Sequence, residues 1–386
     1  MKNELAKLVS QLVSFNTVSD ISNIAMADFL CEFLEGTGFK ISRYPYQDRQ
    51  GVDKVNVIGR LGGEESYLTF SGHMDTVPFE GRWRANSKPL VATKIGDRLY
   101  GRGVADMKLF IATALMVAKT ISASSLRKPF SLCFTADEEV GCVGAKRLTR
   151  EAKADVGRYV VLGEPTEMIP VRAHKGYLYF SVRLTGKTGH SSNPKNGISI
   201  VPALYEVGRK LEVVESRLRR EKAIDFDPNY ATLNQGVIST HVRDANGKLK
   251  ISSKNTIPGE GIIEAEIRTL PGQSTETIFQ IIRAYLGESK DQVEILTKQE
   301  RSSSPAMETV KDSLLVREIE EITGQSSQVV NYNTEGGVYT KAGSQCIIWG
   351  PGSIKQAHSD NEFVELKYLN GEVVDKYLML VKNLCG

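Results

Sequence analysis

Along the first 36 residues apolar side chains recur at helical spacing, with Leu5, Leu8 and Leu12 on one face. The turn-rich run Asn16-Thr17-Val18-Ser19-Asp20 splits the stretch into two predicted helices, and Gly36 and Gly38 close the second. The period then shortens to that of strands at residues 40–46, 56–61 and 67–71. Helical spacing returns at 109–121, an apolar strand follows at 130–134, a helix at 144–153 and a strand at 159–162. Strand, loop and helix in repetition predict an α/β fold with a doubly wound sheet. From about residue 175 the texture changes. Residues 177–184 alternate as a strand with one exposed face, 198–220 form a long helix, strands follow at 232–238 and 261–268, and a helix at 275–287. That order predicts a smaller ferredoxin-like α/β sandwich over 173–293, inserted into a first domain made of 1–172 and 294–386. The returning segment carries a helix at 313–323, a strand at 346–349 and a last helix at 368–384.

Size and charge narrow the function classes. A chain of 386 residues has room for two or three domains, and 41% apolar with 25% charged residues is ordinary for a globular enzyme. The formal net charge of +3 is spread along the chain, with one basic patch at Arg217, Arg219 and Arg220, which argues against nucleic acid as a partner. No apolar run approaches the ~20 residues of a membrane span, and the first residues lack a signal-peptide core. The five cysteines are scattered without metal-type pairing and read as reduced, buried thiols of a cytoplasmic protein.

The chemistry gathers where strands end, the rigid and open edge of an α/β sheet. Strand 67–71 runs into His73 and Asp75, strand 130–134 into Asp137, Glu138 and Glu139, and strand 159–162 into Glu164. A glycine-rich loop over 100–108 presents Asp106 at the mouth of a helix, and it lacks the third glycine of a dinucleotide-binding loop. His358 follows the last strand. A solvated turn accounts for one acidic run, and a structural role for one histidine. Seven of these groups, His73, Asp75, Asp106, Glu138, Glu139, Glu164 and His358, suit Zn2+, Co2+ or Mn2+ together, with a carboxylate shared between two ions. Adjacent carboxylates at 137–139 repel one another and call for positive charge from elsewhere in the fold.

These segments carry a resemblance. Gly72-His73-Met74-Asp75-Thr76-Val77-Pro78, Gly103-Val104-Ala105-Asp106-Met107-Lys108, Thr135-Ala136-Asp137-Glu138-Glu139-Val140-Gly141 and Gly163-Glu164-Pro165-Thr166 resemble the metal motifs of the di-zinc aminoacylase, carboxypeptidase and deacylase family, nearly end to end. Within it, Gly189-His190-Ser191-Ser192, Thr334-Glu335 and Gly350-Pro351-Gly352-Ser353 resemble the members that deacetylate N2-acetyl-L-ornithine more than the desuccinylases. Leu109 departs from the glycine usual after Asp-Met-Lys. The resemblance implies two Zn2+ ions, with Co2+ or Mn2+ as alternatives. His73 and Glu164 would hold one, Glu139 and His358 the other, and Asp106 would bridge them.

Asp75 would orient His73 through its second ring nitrogen, and Glu138 would be the general base. The resemblance also implies that the inserted domain serves as a dimerisation and lid domain in a homodimer, from which His190 stabilises the oxyanion of the other subunit. Asn255 and Arg268 would grip the substrate α-carboxylate, and Glu335 would pair with a side-chain amine. The implied substrate is a small N-acyl amino acid. N-acetylcitrulline, N-succinyl-diaminopimelate or a dipeptide are alternatives to N2-acetyl-L-ornithine, and a non-catalytic metal-dependent binding protein is an alternative of another class.

Overall fold

A computed structural model describes residues 2–79, 83–84, 86–243, 248–300 and 302–386. The chain divides into two compact units, Met1–His174 with Met307–Val330 and Thr334–Gly386, and Lys175–Ala306 with Asn331–Asn333. Among the described residues the first unit holds a nine-stranded mixed sheet. From one edge the order is Lys40–Gln47, Asp53–Leu61, Phe130–Thr135, Leu68–His73, Tyr159–Leu162, Gln345–Ile348 and Val171–His174, the last pairing with both Met307–Glu308 and Gln328–Val330. Four central strands run parallel, and Asp53–Leu61 opposes them.

Central strands are apolar on both faces, as a sheet covered on both sides requires. Tyr159 and Val161 join one core with residues of the helices Lys2–Ser14, Leu109–Thr120 and Gly371–Cys385. Val160 and Leu162 point the other way, to Ala145, Leu148, Val338 and Tyr339. The doubly wound architecture follows from this period-2 alternation between two layers of helices. His73 lies opposite Thr135 in register, so neighbouring parallel strands end in step and their following loops open at one carboxyl edge.

The helix expected over 144–153 is less regular than its spacing suggests. A short α-helix, Val143–Lys146, passes into a wider turn, Arg147–Glu151, where the amide of Ala152 reaches back five residues to the Arg147 carbonyl at 2.9 Å.

The second unit carries its own antiparallel sheet, ordered Leu249–Ile251, Thr232–Arg243, Glu260–Thr269, Gly176–Thr185, Val293–Gln299 and Ser289–Lys290. Leu178, Phe180, Val182 and Leu184 alternate inward and meet the helices Val201–Leu218 and Thr275–Leu286. Strand Val293–Gln299 pairs with Gly176–Thr185, so this unit extends to Ala306 and past the boundary near 293 that the sequence suggests. Strand Thr232–Arg243 meets the short strand Leu249–Ile251 through His241, Val242 and Arg243, and the Ser252 amide donates to the Thr240 carbonyl at 3.1 Å, which leaves the edge over 232–239 without a strand partner among the described residues. All five cysteines are free and buried. No helix among the described residues is long and apolar enough to cross a membrane.

Candidate active site

At the carboxyl edge of the first unit's sheet, His73 Nε2 lies 2.9 Å from Asp106 Oδ1 and 3.7 Å from Glu164 Oε1. The other oxygen of Asp106, Oδ2, lies 3.5 Å from His358 Nε2, and His358 Nε2 lies 2.8 Å from Glu139 Oε2. One carboxylate thus presents each of its oxygens to a different imidazole, each imidazole having a glutamate beside it. His73, Asp106 and Glu139 each offer a ligand atom within 4.8 Å of the others. His73 is buried, and the side chain of His358 is 57% exposed, which makes it the rim of the cluster.

Backbone geometry aims these groups. His358 adopts a left-handed conformation with φ of 59°. Glu164 follows Gly163, where an added Cβ would stand 1.8 Å from the Phe110 ring, and a Cβ on Gly350 would stand 2.1 Å from the Gly163 carbonyl oxygen. Only glycines let the chain carrying Glu164 lie between the Gly350 turn and the helix Leu109–Thr120. Leu109 begins that helix fully buried in the core.

Asp75 meets the second ring nitrogen of His73 with its backbone carbonyl and not with its carboxylate. The His73 Nδ1–H donates to the backbone carbonyl of Asp75 at 3.0 Å, and the Asp75 carboxylate stands off at 3.7 Å. The chain turns after His73 and brings that carbonyl to the ring, which fixes a proton on Nδ1 and turns Nε2 toward Asp106, where it would serve a cation. The carboxylate is taken up elsewhere: Oδ1 accepts the amide of Glu138 at 3.0 Å, and Oδ2 accepts the amide of Glu139 at 3.2 Å and the Ser19 hydroxyl at 2.7 Å. Asn56 holds the same turn, accepting the Ala136 amide at 2.9 Å and donating to the Gly144 carbonyl at 3.0 Å. Glu138 is half-buried, and its Oε1 accepts a weak hydrogen bond from the Cys142 thiol at 3.5 Å.

The loop before the Leu109–Thr120 helix is held by a residue that carries no sequence signal of its own. Glu362, buried at 1% exposure, accepts the amides of Gly103 and Ala105 at 2.8 Å, the amide of Asp106 at 3.2 Å, and Arg102 Nη1 at 2.9 Å. A spacing of four after His358 is its only mark in the sequence. Its work is visible only when the loop closes around it.

Charge in this pocket is unbalanced. Burial pushes the Glu138 and Glu164 carboxyls well above the usual carboxylate range and raises Glu139, and neighbouring carboxylates add to each shift. Burial alone would lower the His73 imidazole, yet Asp106, Glu164 and Asp75 raise it well above its ordinary value. A buried excess of carboxylates gathered around the Nε2 atoms of two imidazoles is the donor set of a pair of divalent cations. The residues therefore fit such ions, with Asp106 between two positions.

Glu335 sits in the same unit at 2% exposure. Its Oε2 accepts the Thr135 hydroxyl at 2.9 Å and the Tyr339 hydroxyl at 3.4 Å, Oε1 has no hydrogen-bond partner, and burial raises the carboxyl to about 7. His190, Asn255 and Arg268 belong to the second unit. His190 pairs with Thr256 across a two-stranded ribbon and is exposed, with Nδ1 at 2.7 Å from the Ser192 hydroxyl, and the Asn255 carbonyl accepts the Ser191 amide at 3.0 Å. Arg268 stands near the far end of strand Glu260–Thr269, with Nε at 2.5 Å from Glu266 and its guanidinium 5.5 Å from the Tyr177 ring centroid. Within one chain the structure brings His190 and Asn255 together and keeps Arg268 apart. The eight steps from Glu260 to Arg268 span about 26 Å at roughly 3.3 Å per residue.

Residues 69–374 match the profile of peptidase family M20/M25/M40. An acetylornithine deacetylase of Myxococcus xanthus is 36% identical over 375 residues, covering 95% of this chain and 93% of that protein. Among solved structures, an M20 family metallo-carboxypeptidase of Sulfolobus solfataricus superposes with a TM-score of 0.73 at 19% identity, covering 99% of this chain and 100% of the other. A dinuclear metal binding M20 peptidase of Bacillus subtilis superposes at 0.66 and 13% identity, covering 99% and 98%.

Proposed function

Because this chain belongs to peptidase family M20/M25/M40, we propose that it is a metal-dependent amidohydrolase that removes acetyl from N2-acetyl-L-ornithine, giving ornithine and acetate for arginine biosynthesis in the cytoplasm. The observation that carries the reading is Asp106, whose two carboxylate oxygens face His73 and His358 separately, with Glu138 on the adjoining turn. The substrate follows from the 36% identical relative named as an acetylornithine deacetylase.

His73 and Glu164 would hold one ion and Glu139 and His358 the other, with Asp106 offering an oxygen to each. Two Zn2+ ions, or Co2+ or Mn2+, would supply Lewis acidity at the amide carbonyl and lower the pKa of the attacking water. Glu138 takes the proton of that water on its carboxylate and passes it to the departing amine nitrogen. Asp75 keeps the amides of Glu138 and Glu139 in place while this happens. Arg268 binds the substrate carboxylate by its planar fork. The separation of Arg268 from His190 and Asn255 within one chain supports a homodimer in which His190 and Asn255 of a second copy complete the site, and the strand edge over 232–239, without a strand partner among the described residues, offers a pairing surface. The second unit then acts as the dimerisation and lid domain. The unpartnered Oε1 of Glu335 is the acceptor assigned to the ornithine side-chain amine.

Metal-loaded protein offered a panel of N2-acetylornithine, N-acetylcitrulline, N-succinyl-diaminopimelate and a dipeptide is expected to release acetate from the first. Cleavage of another member with N2-acetylornithine untouched would sink the substrate assignment, and metal uptake without cleavage of any would point to a binding protein. Arg268→Lys retains the charge and loses the fork. Initial rates are expected to show KM raised about 10-fold or more with kcat little changed, since a charged hydrogen bond contributes roughly 1.5–3 kcal/mol. An unchanged KM would remove Arg268 from carboxylate binding.

A further inference from the structure

Asp137 begins the acidic run yet turns away from it. Its φ of 58° lies in the left-handed region, and its carboxylate is buried behind the turn. There Oδ2 accepts the Tyr46 hydroxyl at 2.9 Å, and Oδ1 lies 3.1 Å from Lys54 Nζ, the two charged side chains being 2% and 1% exposed. Lys54 Nζ also donates to the carbonyls of Ser19 at 2.8 Å and Ile21 at 2.6 Å, so the buried ammonium has two carbonyl acceptors beside its carboxylate counter-charge. The hydroxyl of that same Ser19 donates to Asp75, which holds the amides of Glu138 and Glu139.

A closed circuit results, running from Asp137 through Lys54, Ser19 and Asp75 back to Glu138. The Asp75 carboxylate holds the amides of the turn, the Asp137 side chain anchors its start, and Lys54 links the two through the Ser19 segment. We infer that Lys54, Asp137 and Tyr46 are positioning residues that fix the backbone of the acidic turn, so that Glu138 and Glu139 point where proton transfer and cation binding need them. The inference rests on the roles proposed above for those two glutamates. Asp137 itself touches neither substrate nor cation. It acts through the peptide units that follow it.

A plain structural role predicts that activity and metal affinity track stability, and a positioning role predicts that they separate. Asp137→Asn keeps the shape, tolerates the positive φ and still accepts from Tyr46, but it leaves the Lys54 ammonium without its counter-charge. The pair Lys54→Met with Asp137→Asn removes the stranded charge. The single variant is expected to melt at a lower temperature, and the pair to recover most of that loss. Titration of the metal-free pair with Co2+ should nevertheless show affinity reduced about 10-fold or more, with kcat lower by a similar factor at unchanged KM, the usual effect of disturbing residues behind the ligands. Recovery of Co2+ affinity and kcat together with melting temperature would overturn the inference. Should the pair fail to fold, Tyr46→Phe removes a single hydroxyl. It should lower kcat and Co2+ affinity a few-fold, and wild-type values for both would again overturn the assignment. Co2+ titration needs no substrate, so a wild-type protein that cleaves no amide would refute the proposed reaction and leave this test standing.

Discussion

Glu138→Gln is expected to lower kcat by about 100- to 10,000-fold, the range set by loss of a positioned proton carrier, while metal uptake stays at the wild-type stoichiometry. Glutamine has the size of glutamate and keeps an oxygen for the Cys142 thiol, which lies 3.5 Å from Glu138 Oε1. The turn does not depend on the side chain, because Asp75 and the backbone hold it: the Glu138 amide donates to Asp75, and the Glu138 carbonyl accepts from Gly141 at 2.9 Å and Cys142 at 2.8 Å. His73, Asp106, Glu139, Glu164 and His358 are untouched by the change. What disappears is the capacity to take up a proton and give it back. Burial, with repulsion from Glu139, Glu335 and Asp75, outweighs the attraction of His73 and disfavours a charged Glu138, so the neutral variant should be at least as heat-stable as the wild type in the metal-free form. Steady-state kinetics with metal analysis on the same preparation checks both halves. Wild-type kcat would remove Glu138 from proton transfer, and loss of metal with activity would make it a ligand instead.

The strand-end groups were legible because parallel strands of one sheet end in step. His73, Glu138, Glu139 and Glu164 follow neighbouring strands, and registry such as His73 opposite Thr135 converts separation in sequence into proximity in space. The layered sheet was readable from the repetition of strand, loop and helix, because the central strands are buried at every position and call for cover on both faces. Less was legible where backbone atoms do the work. No pattern of side chains announces that the Asp75 carbonyl orients His73 while its carboxylate caps two amides. Nor does any pattern announce that Tyr46 and Lys54, on the strands Lys40–Gln47 and Asp53–Leu61, meet Asp137 after a third strand. The extent of the second unit was set by strand pairing over more than 100 residues, Val293–Gln299 against Gly176–Thr185, which local periodicity does not encode. Distance along a strand does follow from its length, and it separates Arg268 from the end where His190 and Asn255 meet.

The clamp around Glu362 tests how far backbone support governs the site. Glu362→Gln is expected to cost about 3–5 kcal/mol, the usual result of removing one charge from a buried pair, and to lower the melting temperature by about 10 °C. Four donors converge on this carboxylate, with Arg102 Nη1 and the Gly103 amide on Oε2 and the amides of Ala105 and Asp106 on Oε1. Glutamine has one acceptor oxygen, so its NH2 group must face the donors of the other side. Burial lifts the Glu362 carboxyl to about 7, opposed by the Gly103 and Ala105 amides and Arg102, so the converging donors offset a real cost of desolvation. Those donors become the liability once the charge is gone, since the Arg102 guanidinium is itself only 3% exposed. The strain falls on the loop that ends in Asp106, the group facing both imidazoles. Melting temperature and metal content should therefore fall together here, in contrast to Glu138→Gln, where only turnover falls. Differential scanning calorimetry with metal analysis distinguishes the two. A Glu362→Gln protein that melts within about 2 °C of the wild type and keeps its metal would show that Asp106 is placed by its own strand and helix neighbours, and that the clamp adds little.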